Sequence, residues 1–330
     1  MNKINFEILS HLNISDTDLI DRTIPLFSLY ENNEWKKYIR SNNDFIRLKI
    51  VDIVDGFYFS KQPVLKNDLK LIFFNVMLKK ANFKEKSKFI IYILDDIQNL
   101  SASIEKINLF YTMRDKINSV ILSKYISTEL EYIFKVSRSI YDLLQELITV
   151  IWNKFEYIDK IQEKKQFCKN CKSSFNSVIE LNNKLSSIDE LVNRHKIPYQ
   201  LAEFYHNHGK FFSWLRAYRD KISHSGQSFN IFVDDKGFSL SIENNHFTNL
   251  HFWDEKNVLN NNLGSVNSLV AYIVLNTVMG LEEFAKTIDA IMILPDDIAP
   301  EHNIYLRSKF NKTLKKLHKY DAEMAWEIKT

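Results

Sequence analysis

Apolar side chains recur every three to four residues over most of this chain, and little interrupts them. Six glycines and five prolines in 330 residues leave few places where a helix has to stop, so long helices with short connections are expected. From Phe83 onward one stripe runs through Ile90, Ile93, Ile97, Leu100, Ile104, Ile107 and Tyr111. A second passes through Leu130, Ile133, Ser137, Ile140, Leu144, Leu147, Ile151, Phe155 and Ile158. Drawn as one rod over 119–164, the second segment would be about 70 Å long, so a break inside it is expected. A third helix is predicted over 198–222 from Phe204, Phe211, Phe212, Leu215, Tyr218 and Ile222, with Pro198 in its first turn and Gly226 just past its end. A fourth is predicted over 265–293, closed by Leu294-Pro295.

Three regions depart from this pattern. Residues 1–80 break into short pieces at the asparagine-rich turns Glu31-Asn-Asn-Glu and Ser41-Asn-Asn-Asp. They read as accessory helices, with Phe45-Ile-Arg-Leu-Lys-Ile-Val-Asp-Ile-Val leaning to helix over strand. After Gly226 the period shifts to two. Phe229-Asn-Ile-Phe-Val, Phe238-Ser-Leu-Ser-Ile and Phe247-Thr-Asn-Leu-His-Phe-Trp read as strands, with Asp234-Asp-Lys-Gly as a hairpin turn. This gives a small antiparallel β insert over about 227–255. Residues 296–330 carry Lys309, Lys312, Lys315, Lys316 and Lys319 between Phe310, Leu314 and Leu317, a basic amphipathic helix. The predicted class is all-α.

The chemistry gathers near the end of the third helix, in Arg219-Asp220-Lys221-Ile-Ser-His224. Arg216, Asp220 and His224 share one helical face, so Asp220 is placed to fix the tautomer of His224. Arg219 stands about 140° round a straight helix from His224, so the last turn must loosen or the arginine must bend for the two to meet. A histidine in a last turn meets the negative end of the helix dipole, which favours its protonated form. A guanidinium clamps phosphate oxygens without losing charge, and an imidazole near neutrality moves protons either way. The plainer reading of such a pair is a solvated helix cap.

An arginine, a polar residue beside it and a histidine four to six positions on resemble the signature of the HEPN superfamily. That resemblance implies a HEPN-like helical bundle over 81–295, preceded by the region 1–80 and followed by the helix over 296–330. It also implies a metal-independent endoribonuclease of toxin or phage-defence type, active as a homodimer with a composite site. Attack by the RNA 2′-hydroxyl would leave 2′,3′-cyclic phosphate and 5′-hydroxyl ends. Arg219, Asp220 and His224 would be catalytic; Arg216, Lys221, Arg138 and His208 are candidate substrate contacts. Arg138 pairs with Asp142 at i, i+4, with Glu131 seven residues before it on much the same face. No cofactor is expected, and any antitoxin would be a separate chain. The alternative is a non-catalytic helical module that binds RNA or a protein.

Other features narrow the field. A net charge of +3 carries no global basic field, so RNA affinity would come from local patches. The stretch 269–281 is shorter than the about 20 residues a bilayer needs, and the N-terminus has no apolar signal core, so a cytoplasmic protein is expected. Cys168 and Cys171 form one CxxC without a second pair and read as surface thiols. His206 and His208 project about 200° apart on a helix, a poor metal pair; one packing inside and one solvated is the expectation. Met113-Arg-Asp-Lys-Ile-Asn-Ser119 repeats part of the motif with serine at the histidine position, and serine does not replace imidazole in proton transfer.

Overall fold

The computed structural model describes residues 27–41, 44–49, 53, 55–152, 156–158, 174–182, 184–225, 229–234, 237–242, 258–259 and 262–323. In chain order the elements are β1 (Phe27–Glu31), β2 (Glu34–Ser41), β3 (Asp44–Leu48), β4 (Gly56–Ser60), α1 (Ile72–Asn75), α2 (Ser87–Thr112), α3 (Ser119–Trp152) and β5 (Glu156–Tyr157). There follow α4 (Phe175–Ile179), β6 (Glu180–Leu181), β7 (Lys184–Leu185), α5 (Ile188–His195), α6 (Tyr199–Ser225), β8 (Ile231–Asp234), β9 (Gly237–Ser241), β10 (Val258–Leu259) and β11 (Leu263–Ser265). The last are α7 (Val266–Ile291), β12 (Met292–Ile293), β13 (Asn303–Arg307) and α8 (Asn311–Glu323). The chain divides into two compact units, one of 1–92, 144–205 and 281–311 and the other of 93–143, 206–280 and 312–330.

The fold is mixed α/β, which corrects the all-α expectation. In the first unit a five-stranded sheet runs in the order β13-β4-β1-β2-β3. The accessory helices expected in 1–80 are therefore, over 27–60, strands, and Asp44–Leu48 pairs with β2 instead of coiling. The turn at Glu31-Asn-Asn-Glu is a tight hairpin in which Asn32 and Asn33 both take positive φ, 52° and 60°, the geometry a two-residue connection between twisted strands demands. β4 pairs parallel to β1 and antiparallel to β13. That last strand lies where a continuous basic helix was predicted; the helical part of the tail begins only at Asn311.

One cluster locks this sheet. Asp68, 6 % exposed, accepts from Arg307 Nε at 3.2 Å and Nη2 at 2.9 Å, and from Tyr58 Oη at 2.5 Å. The Arg307 guanidinium lies 5.0 Å from the Trp35 ring and 5.3 Å from the Tyr58 ring, so its charge is met on its edge by a carboxylate and on its faces by aromatic rings. α1 is short and runs directly into a π-helical stretch, Val76–Lys80. The Glu282 carboxylate caps it, accepting from Ile72 N–H at 3.0 Å and Phe73 N–H at 3.2 Å.

The second unit is helical with a four-stranded sheet, β10-β11-β9-β8. It contains the predicted hairpin, with Gly237 at φ 147° beside its turn, and gains β10 and β11, which the sequence did not signal. The third predicted strand, 247–253, lies outside the described residues. Within this unit the stripes pack as drawn, with Ile97, Leu100, Ile104, Ile107, Leu130, Ile133 and Ile140 all buried, but the second does not reach its predicted end, since Ile158 lies beyond the helix and is 54 % exposed. α3 ends at Trp152, so the long segment does break. α7 has 26 residues and is, by length and composition, long and apolar enough to cross a membrane. Its Leu269, Val270, Ile273 and Val274 are buried within this unit.

Candidate active site

Every residue proposed from the motif, and each proposed contact beside it, falls in the second unit. α6 does not stop at Ile222, where its apolar period ends; it stays helical to Ser225. The last turn therefore does not loosen, and positions 219 and 224 remain about 140° apart on their helix. The side chains of Arg219, Asp220, Lys221 and His224, and Gly226 altogether, lie outside the described residues.

Aromatic packing holds the helix up to the motif. Tyr218 stacks on Phe134 of α3 with centroids 4.4 Å apart and 19° between planes, and on Phe229 at 5.1 Å and 23°. Phe134 also meets Trp214 at 5.1 Å, and Trp214 meets Tyr272 of α7 at 5.8 Å. The residue just before Arg219 thus packs against two rings, and because Phe134 and Phe229 also meet, at 6.1 Å, the three form one cluster. Burial pushes the Tyr218 phenol up, helped by the nearby Glu131 carboxylate, so it stays protonated.

The remaining candidates take different places. Arg216 is half-buried, one turn before Asp220. Arg138 pairs with Asp142 at 3.7 Å and carries its guanidinium carbon 6.0 Å from the Phe212 ring centre. It faces α6 two turns before Arg219. His208 is 6 % exposed, its Nδ1 3.1 Å from Tyr141 Oη, which also donates to Asn276 O at 3.3 Å. His208 is an interior ring; His206 is half-buried. Arg114 belongs to a 3₁₀ turn after α2, bonded to Tyr111 O and lying over the Tyr111 ring.

Two features escaped the sequence. Asp96 on α2 has its carboxyl pushed up to about 6 by burial, against the lowering effect of a hydrogen bond from Ser139. Beside Asp95 it looks like part of a solvated face; the available signal was its place between Ile93 and Ile97 of the buried stripe. The other is that Glu131 lies close enough to act on the Tyr218 phenol. Among the described residues no three His, Cys, Asp or Glu side chains gather as a metal ligand set. Cys168 and Cys171 lie outside the described residues. Compared with known protein families, characterised proteins and solved structures, the chain matches none.

Proposed function

We propose that this chain is a metal-independent endoribonuclease resembling the HEPN superfamily, acting on RNA as a toxin or phage-defence effector in the cytoplasm. One observation carries the reading. Arg219, Asp220 and His224 occupy the final turns of a 27-residue helix, directly after Tyr218, which packs against both Phe134 and Phe229. Groups that act on a scissile phosphate need a rigid support, and a helix end held by stacked rings is one.

In this mechanism Arg219 clamps non-bridging oxygens of the phosphate and stabilises the charge that builds at phosphorus. His224, favoured as imidazolium by the helix C-terminus, protonates the leaving 5′-oxygen. Asp220 orients the ring. The 2′-hydroxyl loses its proton to a second imidazole and attacks, leaving a 2′,3′-cyclic phosphate and a 5′-hydroxyl. One chain offers one such histidine, and its arginine diverges from it on the same helix. The reading therefore pairs two chains, each supplying its motif to one cleft. Arg216 and Lys221 are additional phosphate contacts.

The test compares native protein with His224→Ala on RNA in the presence of EDTA, with the product ends mapped and the mass in solution measured. Cleavage by the native dimer to cyclic-phosphate ends, lost in the variant, is expected. Equal cleavage, or none from either protein, leaves an RNA- or protein-binding role.

A further inference from the structure

The two sheets treat their edges differently. In the first unit β3 carries charge, with Asp44 and Arg47 in the strand and Lys49 just after it. The outer side of β13 is met by Leu69, which exchanges two backbone hydrogen bonds with Leu306, at 2.9 and 2.7 Å. Charge and cover are the usual means of keeping an edge strand from pairing with another chain. In the second unit the edge strand β8 reads Ile231-Phe232-Val233 before Asp234 at its end, and among the described residues no strand pairs with its outer side.

An uninterrupted apolar run is the pattern of a strand covered on both faces. Yet Phe232 is 47 % exposed and Val233 37 %. The backbone is equally one-sided. Asp234 and Gly237 close a two-residue hairpin and so form a hydrogen-bonded pair, as then do Phe232 and Ser239. Ile231 and Val233 therefore turn their N–H and C=O groups away from β9, with the spacing of a second antiparallel ladder.

We propose that β8 pairs with β8 of a second copy of this chain, antiparallel across a two-fold axis at Phe232. In that register Ile231 of one copy exchanges hydrogen bonds with Val233 of the other. The two Phe232 side chains meet at a non-hydrogen-bonded position, where cross-strand neighbours stand closest. A strand edge matched to itself is isologous, the contact a closed dimer requires. The place of β8 in the fold argues for a second copy over a different protein. Phe229, whose ring lies 5.1 Å from that of Tyr218 beside the motif, precedes Phe232 by three residues, a span of at most about 11 Å. An axis at Phe232 thus brings the last turns of α6 from both copies toward one cleft. The purpose of the pairing rests on the nuclease reading, which calls for two chains; its geometry rests on the strand edge alone.

Sedimentation equilibrium tests the pairing. The native chain is expected to dimerise. Phe232→Lys, which sets like charges directly opposite one another, is expected to weaken the dimer about tenfold or more at unchanged melting temperature. Cross-linking gives a second readout that does not depend on tolerating a charge. In a Cys168→Ser, Cys171→Ser background, Phe232→Cys should form a disulfide-linked dimer on mild oxidation, its Cα atoms standing about 4.5 Å apart. Asn230→Cys, two residues off the axis and about 14 Å from its counterpart, should not. Linking at both positions or at neither, or a Phe232→Lys dimer as tight as the native one, overturns the proposal. So does a monomeric native chain: slow hydrogen exchange at the Ile231 and Val233 amides would then mean that the chain covers the edge itself, and fast exchange that the edge serves a different protein. A dimer that links at position 232 but cuts no RNA ends the nuclease reading and leaves the interface standing.

Discussion

Gly280 has no side chain because Tyr141 occupies the space: a Cβ built there would stand 2.6 Å from Tyr141 Oη and 3.0 Å from its Cζ. Tyr141 cannot give way, being fully buried and tied through its hydroxyl to His208 and to Asn276 O. A close approach of α7 to α3 is thereby built into one glycine, inside the unit that carries the motif.

Gly280→Ala is accordingly expected to destabilise by about 1–3 kcal/mol, the usual range for overpacking a well-filled interior. Urea unfolding checks it. Gly280→Ala combined with Tyr141→Phe should recover part of the loss, since the closest contact is with the hydroxyl.

The Asp68–Arg307 pair should be visible in acid. Burial raises the Asp68 carboxyl, but the hydrogen bonds from Arg307 and Tyr58 outweigh it and hold the group below the usual carboxylate range. A group whose folded pKa is depressed stabilises above its unfolded value of about 3.9, and that contribution is lost as pH falls through the folded one. Asp68→Asn should cost about 3 kcal/mol at pH 7, because Arg307 is left buried without its counter-charge. The difference between variant and native protein should shrink below pH 4, as read from unfolding curves across pH.

His195 acts in the same sense at higher pH. Burial first, then the Arg194 charge, push its imidazole down to about 4. Arg194 Nε donates to His195 Nε2 at 2.8 Å, and the Val178 carbonyl near that nitrogen takes its hydrogen from Arg194 Nη2. The ring is therefore neutral in the fold. Its contribution is complete above the unfolded pKa of about 6.5 and is lost as pH falls toward 4, on the order of 2 kcal/mol after screening. His195→Gln should flatten the stability profile between pH 6.5 and 4; an unchanged slope would contradict the neutral assignment.

Asp96 runs the other way. With its folded pKa raised to about 6, its carboxyl favours the fold while protonated, and that preference is lost as pH rises through 6. Asp96→Asn should therefore stabilise at pH 7 by on the order of 1 kcal/mol, discounted for its partial exposure, and change little below pH 4. Melting temperatures at the two pH values decide it.

The long helices were legible because their information is local. Ile97, Leu100, Ile104 and Ile107 repeat at 3.6 residues, and whatever covers them, a helix is the conformation that buries such a stripe. The turn at Asn32-Asn33 was legible for a similar reason, since asparagine tolerates positive φ, but the strands it joins were read as helices. The placing of the motif near the end of a helix was equally a local matter, written in Tyr218, Ile222 and the residues between.

The five-stranded sheet was not legible. Asp44–Leu48 and Asn303–Arg307 have no period that marks them as strands; they are strands because partners far along the chain supply their hydrogen bonds. Likewise the charge on Arg307 reads as part of a basic tail until Asp68, Tyr58 and Trp35 surround it. Helix, stripe and motif position were therefore set by residues within a few turns of one another. Strand pairing, the perturbed Asp96 and His195, and the effect of Glu131 on the Tyr218 phenol were decided by contacts between segments distant in the chain, which no local pattern encodes.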